Sequence, residues 1–493
     1  MEMILTSTRL DLLQKSLVSS HQVEFGLAMT AAGRQLAILA HPGFLEIDEF
    51  DGEATELVEN KLVLCSLNPH NAKTLRTQLN WLQPQLLGLR TSAGMGDRLG
   101  IATPGHVRAV RLTLGKVAPI FAQQSVREMG RTGRTPQQVM DDATWGIFEE
   151  GWKGGVGADA DHLKTPGDIE ACFAAGFTFY TIDPGEYVNN QSHVFNLHQL
   201  EEQTRKLPAH LQPQSTGLSG KSFDIEGYTI VVSEEVLLRA VSKYGKAVAH
   251  VTAMYEHLKQ VAGKHPFEVE VSMDETELPT SAAEHIYIAS ELTRLGVKWV
   301  SFAPRFVGRF EKGVDYIGDM GALHTDLTIH ASIARQLGPY KLSLHSGSDK
   351  FSIYPLFMEE TRGLTHLKTA GTSYLEALRT IAAIDTDLFK EIYTFALEHY
   401  EIDKLSYHVS AQIDKAPKPG AVRDWPGLLE QFDAREILHV TFGSVLTEKT
   451  AGEKLRFYTR IMTDLEANRE LFFDNLQIHF KRHLLPFSAS RAT

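Results

Sequence analysis

Cysteine is scarce in this chain: 493 residues carry only Cys65 and Cys172. Two thiols that far apart form neither a zinc-finger pattern nor a disulfide framework, so a reducing cytoplasm is the simple expectation. Long apolar runs are missing too. No uncharged stretch approaches the ~20 residues that span a bilayer. Met1–Ser20 mixes Arg9, Asp11 and Lys15 among its apolar residues and so lacks a signal peptide's apolar core. Positive charge is in deficit, with a net charge of −12. That balance argues against a nucleic-acid or anionic-membrane partner. A dinucleotide fingerprint is also absent, because Gly94-Met95-Gly96-Asp97-Arg98-Leu99 has no third glycine. What remains is 43% hydrophobic and 22% charged, the make-up of a soluble globular protein. The length is enough for a large core and more than one structural unit. Nothing in the sequence sets an oligomeric state.

Residues 1–90 read as a lead-in or cap. Phe25–Ala28, Leu36–Ala40 and Leu62–Cys65 have strand character, and Ala72–Leu82 reads as a helix ending before Pro84. From about residue 91 the pattern changes to short apolar strands alternating with longer helical stretches, the signature of βαβ units. Eight strands can be placed: within Leu87–Arg98, then Val117–Ala122, Gly155–Asp161, Phe177–Ile182, Phe267–Val271, Lys298–Ala303, Tyr340–Leu344 and Leu364–Lys368. An insertion at 186–265 contains a helix from Ser233 to Val261. Eight such units over residues 91–400 predict an α/β (β/α)₈ TIM-type barrel. A doubly wound open sheet is the rival. Residues 401–493 read as a helical C-terminal extension.

The seventh strand ends in His345-Ser346-Gly347-Ser348-Asp349-Lys350, and barrel active sites sit at that end of the strands. Asp161-His162 ends the third strand. There a neutral imidazole is a ligand for a divalent metal and the neighbouring carboxylate a base; the plainer reading is a helix cap. On the fifth strand Glu268, Glu270 and Ser272 share a face, and Glu270 lies nearer the tip. A buried carboxylate is costly unless paired or metal-bound. His330 follows the buried spacing of a helix from Asp319 to Leu337, and His324 near its start is the rival. His366 and Lys368 share a face of the eighth strand. Gln124 tips the second strand and Arg305 follows the sixth. These positions predict a metal site of His162, His330 and His345 and an acid/base pair of Asp161 and Glu270. Substrate contacts are expected from Asp349, Lys350, His366, Lys368, Arg305 and Gln124. Zinc, manganese, nickel or cobalt suits an imidazole-rich site.

Four runs carry a resemblance: Gly96–Gly100, Ala158–Lys164, His345–Phe351 and His366–Ser373. They are similar to the tagaturonate epimerase family. The resemblance implies a divalent-metal-dependent interconversion of D-tagaturonate and D-fructuronate, with a sugar acid as substrate. It also leaves open the neutral ketohexoses fructose and tagatose. Locally, Asp161-His162 and the His-x-Gly-Ser turn resemble metal-dependent class II aldolases, which suggests retro-aldol chemistry. A true aldolase and a non-enzymatic sugar-acid-binding protein are the other readings.

Overall fold

The barrel is built from strands with two unlike faces. The computed structural model describes residues 4–41, 48–57 and 59–488. The lead-in forms five antiparallel strands: β1 (Asp11–Ser20), β2 (Val23–Thr30), β3 (Gly33–Ala40), β4 (Gly52–Glu56) and β5 (Lys61–Cys65), ordered β1-β2-β3-β5-β4. The three anticipated strands are there. β1 and β4 are additions, and β4 is exposed along its length, so no apolar pattern marked it. A helix follows at Pro69–Gln78, with the Asn68 side chain accepting from the Asn71 N–H as its N-cap.

The barrel strands are β6 (Ser92–Gly94), β7 (Ala118–Ser125), β8 (Gly157–Leu163), β9 (Phe179–Ile182), β12 (Glu268–Met273), β13 (Ser301–Pro304), β14 (Lys341–Leu344) and β15 (Thr365–Lys368). Between β9 and β12 lies a hairpin, β10 (Lys221–Ile225) with β11 (Tyr228–Val232). The eight barrel strands pair in parallel and close through β9 and β12 into a barrel. Alternation does the sorting. Val269, Val271, Leu342, Leu344 and Leu367 belong to the main hydrophobic core cluster. Their alternating neighbours Glu270, Lys341, Ser343, His366 and Lys368 are polar and buried.

Thr135 and Ser281 open barrel helices as N-caps of full capping boxes. In the insertion, Ser233 caps the helix Glu234–Ala262, which buries Leu237, Val241, Tyr244, Val248, Val251, Tyr255 and Leu258 at helical spacing. The C-terminal helix Arg469–Leu484 packs on the first barrel helix, Thr103–Arg111. One hydrophobic cluster joins the lead-in sheet, the barrel and these helices. Below the mouth, the Glu268 carboxylate accepts from the backbone N–H of Leu87 and Gly88. It thereby ties the chain entering the barrel to β12. No helix is long and apolar enough to cross a membrane among the described residues.

Candidate active site at the barrel mouth

The end of β8 departs from strand geometry, and the departure is functional in form. Strict alternation would send Asp161 and His162 to opposite faces. Instead His162 has φ 55°, and the β8–β9 register shifts between Ala160 and Leu163. A left-handed conformation is strained for a non-glycine residue and is typical of sites that re-aim a side chain. Here it brings adjacent residues to one place: Asp161, His162 and His345 present ligand atoms within 4.8 Å of one another.

The two imidazoles are oriented alike. His162 Nδ1 lies 2.9 Å from Asp183 Oδ2. His345 Nδ1 lies 3.3 Å from Glu270 Oε1. With each Nδ1–H donated to a carboxylate, each Nε2 presents a lone pair, and the two Nε2 atoms face each other at 2.8 Å. Asp161 Oδ1 is 3.5 Å from His345 Nε2. Burial lowers the affinity of His162 for a proton, but Asp161, Asp183 and Glu275 outweigh it and push its pKa up to about 9. A cation belongs at this point, whether proton or metal.

Beneath the histidines Lys368 gathers three carboxylates: Asp161 at 2.8 Å, Asp159 at 2.9 Å and Glu270 at 3.0 Å. It also donates to Thr181 Oγ1 at 2.7 Å. Burial disfavours the ammonium, yet these carboxylates hold its pKa well above the lysine range. Burial likewise pushes Asp161 and Glu270 up, and Lys368 reverses the balance, keeping both ionised well below the usual carboxylate range. Ser301 Oγ donates to Glu270 Oε2 at 2.6 Å, and Gln123 Nε2 to Asp161 Oδ2 at 3.0 Å. Asp159, Asp161 and Glu270 are thus three buried carboxylates around one ammonium, with a fourth, Asp183, on His162, and the residual negative charge fits a divalent cation. Asp183 and Glu275 also converge with His162 as a second grouping able to share such an ion.

Above this floor opens a cleft of about 370 Å³. Asp274 and Glu275 line it after β12, Arg305, Phe306 and Arg309–Lys312 after β13, and His345 and Ser346 after β14. The C-terminal extension closes one side with Tyr407–Ser410. The rim carries Arg127, Arg305, Arg309 and Lys312.

The structure brings together Asp161, His162, Glu270, His345 and Lys368, with Arg305 at the rim. It does not bring His330 to them. His330 Nδ1 lies 2.8 Å from His285 Nδ1 and its Nε2 2.9 Å from the Thr280 carbonyl. The buried face of its helix packs on the neighbouring helix Ala282–Arg294, not on the barrel interior. His324, the rival, is exposed and pairs with Glu360 at 3.0 Å. Lys350 spends its ammonium on the carbonyls of Glu311, Val314 and Ser348, and burial lowers its pKa to about 8. Asp349 binds His479 at 2.6 Å and Arg435 at 3.2 Å, which locks the C-terminal helices to the seventh loop. His366 sits a layer below Lys368, 2.9 Å from Ser92 Oγ. Gln124 accepts from Arg134 at 2.9 Å, so its neighbour Gln123 is the glutamine that meets the site.

Sequence reasoning gave no role to Asp159, Asp183, Thr181, Gln123, Glu275 or Lys312. Two of these had a usable signal. Asp159 shares the face of Asp161 two residues on, and Asp183 tips the fourth strand. Glu275 and Lys312 lie on loops, where no periodicity points inward.

Fold and site together define a (β/α)₈ barrel with a buried cluster of carboxylates, imidazoles and an ammonium at its C-terminal mouth, the place where barrel enzymes carry their active sites. Comparison with known proteins makes the class specific. A family model described as tagaturonate epimerase matches residues 13–486. A tagaturonate/fructuronate epimerase of Thermotoga maritima is 43% identical over 475 residues, covering 96% of this chain and 95% of that protein. A crystal structure of fructuronate-tagaturonate epimerase UxaE from Cohnella laeviribosi, with two glycerols, superposes with a TM-score of 0.92 at 34% identity, covering 99% of this chain and 98% of that one. Its native form gives a TM-score of 0.91 at 35% identity, covering 98% and 97%. The chain belongs to the tagaturonate epimerase family and is an enzyme of the epimerase class.

Proposed function

We propose that the protein interconverts D-tagaturonate and D-fructuronate with a divalent metal held by His162, His345 and Asp161. The observation that carries this reading is the pair of carboxylate-oriented imidazoles whose Nε2 atoms face each other beside Asp161. Zinc, manganese, nickel and cobalt suit such ligands, and a bound cation would act as a Lewis acid toward substrate oxygens.

The carbon to be inverted lies β to the ketone, out of reach of simple enolisation. Breaking and re-forming the adjacent carbon–carbon bond reaches it. Asp161, held ionised, takes the proton of the β-hydroxyl. The carbon–carbon bond breaks, its electron pair passes into an enediolate, and the hydroxyl carbon becomes an aldehyde. The aldehyde turns its other face, the bond re-forms, and the alkoxide regains a proton. The proton that Asp161 took is the one returned, and Lys368, within 3.0 Å of both Asp161 and Glu270, stays an ammonium and offsets the enediolate charge. Glu270 holds Lys368 and His345 in place. The rim cations suit a sugar acid better than a neutral ketohexose. Residues 1–90 flank the barrel, and 401–493 supply one wall of the cleft through Tyr407–Ser410.

NMR of the metal-loaded protein with tagaturonate, and separately with tagatose, tests the reading. The 4-epimer of tagaturonate is expected. Accumulating fragments would make the protein an aldolase, faster turnover of tagatose a ketohexose 4-epimerase, and binding without turnover a sugar-acid-binding protein.

A further inference from the structure

Several cations near the barrel mouth are already committed. Lys368 is held by three carboxylates, Lys350 by three backbone carbonyls, and Arg98 by Glu128. Two of the rim cations are committed as well. Arg127 pairs with Glu275 at 3.0 Å, and Arg309 lies 3.4 Å from Glu311.

Lys312 is different. Its Nζ donates to Ser346 Oγ at 3.3 Å, and among the described residues it forms no ion pair. Ser346 directly follows His345, so this ammonium stands on the cleft wall beside the histidine pair. It is half-buried, which weakens its competition from water. Glu128 and Glu275 act on this ammonium only at a distance, without a direct ion pair. Arg305, which lines the same cleft, has a buried Nε without a hydrogen-bond partner among the described residues. A half-buried ammonium with no carboxylate in contact and a guanidinium donor left unpaired are costly unless something fills them. An anion does.

Resting on the hexuronate reading above, we infer that Lys312, backed by Arg305, receives the carboxylate of the substrate and selects sugar acids over neutral ketohexoses. The group is a specificity determinant: it binds the end of the substrate away from the reacting bond, so its effect falls on binding of acids.

The test is kcat/KM for tagaturonate and for tagatose in wild type, Lys312→Met and Lys312→Arg. The acid-over-neutral ratio should fall roughly 10- to 150-fold in Lys312→Met, the range of one charge-assisted hydrogen bond, mainly through KM for the acid. Lys312→Arg should recover most of the ratio. An unchanged ratio in Lys312→Met overturns the proposal. If wild type turns over neither sugar, the epimerase reading has failed, and calorimetry with galactonate and galactitol still judges Lys312. Wild type should then bind the acid more tightly than the alcohol, and Lys312→Met should bind both alike. Equal preference in the two proteins overturns the proposal.

Discussion

Lys368→Met removes the one ammonium that Asp159, Asp161 and Glu270 share at 2.8–3.0 Å. All four groups are buried. Deleting one partner of a buried ion pair leaves uncompensated charge and costs about 3–5 kcal/mol. That is a large part of the ~5–15 kcal/mol by which domains are stable. The pH dependence should change sign as well. In the native protein Asp161 and Glu270 are depressed, so their stabilisation is present above their unfolded values near 4 and is lost as pH falls through and below them. Without Lys368, burial and mutual repulsion raise them. A raised carboxyl stabilises fully below its unfolded value, and that stability is lost as pH rises through the folded value. The deficit of Lys368→Met relative to wild type should therefore grow from pH 5 to pH 8. Urea unfolding with a chelator present, followed by fluorescence and circular dichroism together, measures it. A deficit below ~1 kcal/mol, or one independent of pH, would refute the account of Lys368 as the ion that keeps these carboxylates charged.

Asp183→Asn should weaken metal binding by about 10- to 100-fold, because His162 loses the partner that fixes its tautomer; competition against a chromophoric chelator reads it, and an unchanged affinity removes His162 from the ligand set. His345→Ala should lose the metal, whereas His330→Gln should keep it and lose only about 1–3 kcal/mol through its broken hydrogen bonds; metal analysis of both proteins decides. Glu436 offers a pH test away from the candidate metal site. Burial and the neighbouring Glu311 push its pKa up to about 8, so its contribution is full below about pH 4.5 and fades as pH climbs to 8. Glu436→Gln should flatten that part of the thermal stability profile, and an unaltered slope would count against the buried acid.

The barrel strands were legible as short apolar runs alternating with helical stretches, several with one apolar and one polar face, and Thr135-Pro136 and Ser233 mark helix starts chemically. Glu270 and Lys368 were legible for the same reason: a polar residue between outward-facing Val or Leu neighbours has only the barrel interior to enter. Periodicity reports that a residue is buried, not what buries it. His330 is buried as its spacing requires, but against another helix and the Thr280 carbonyl. Lys350 follows the strand tip as expected, and then the fold supplies three carbonyls that no local pattern encodes.

The sequence by itself determined the alternation of strands and helices and the strand tips that bear acids and bases, because these follow from spacings of two and 3.6 residues within single elements. Tertiary structure alone decided which tips meet. The left-handed turn at His162 places it beside Asp161. Barrel closure sets His345, 183 residues away, 2.8 Å from it, and the loop after β13 brings Lys312 to Ser346. Those contacts arise from the register of strands far apart in the chain, which short-range physics along the sequence leaves undetermined.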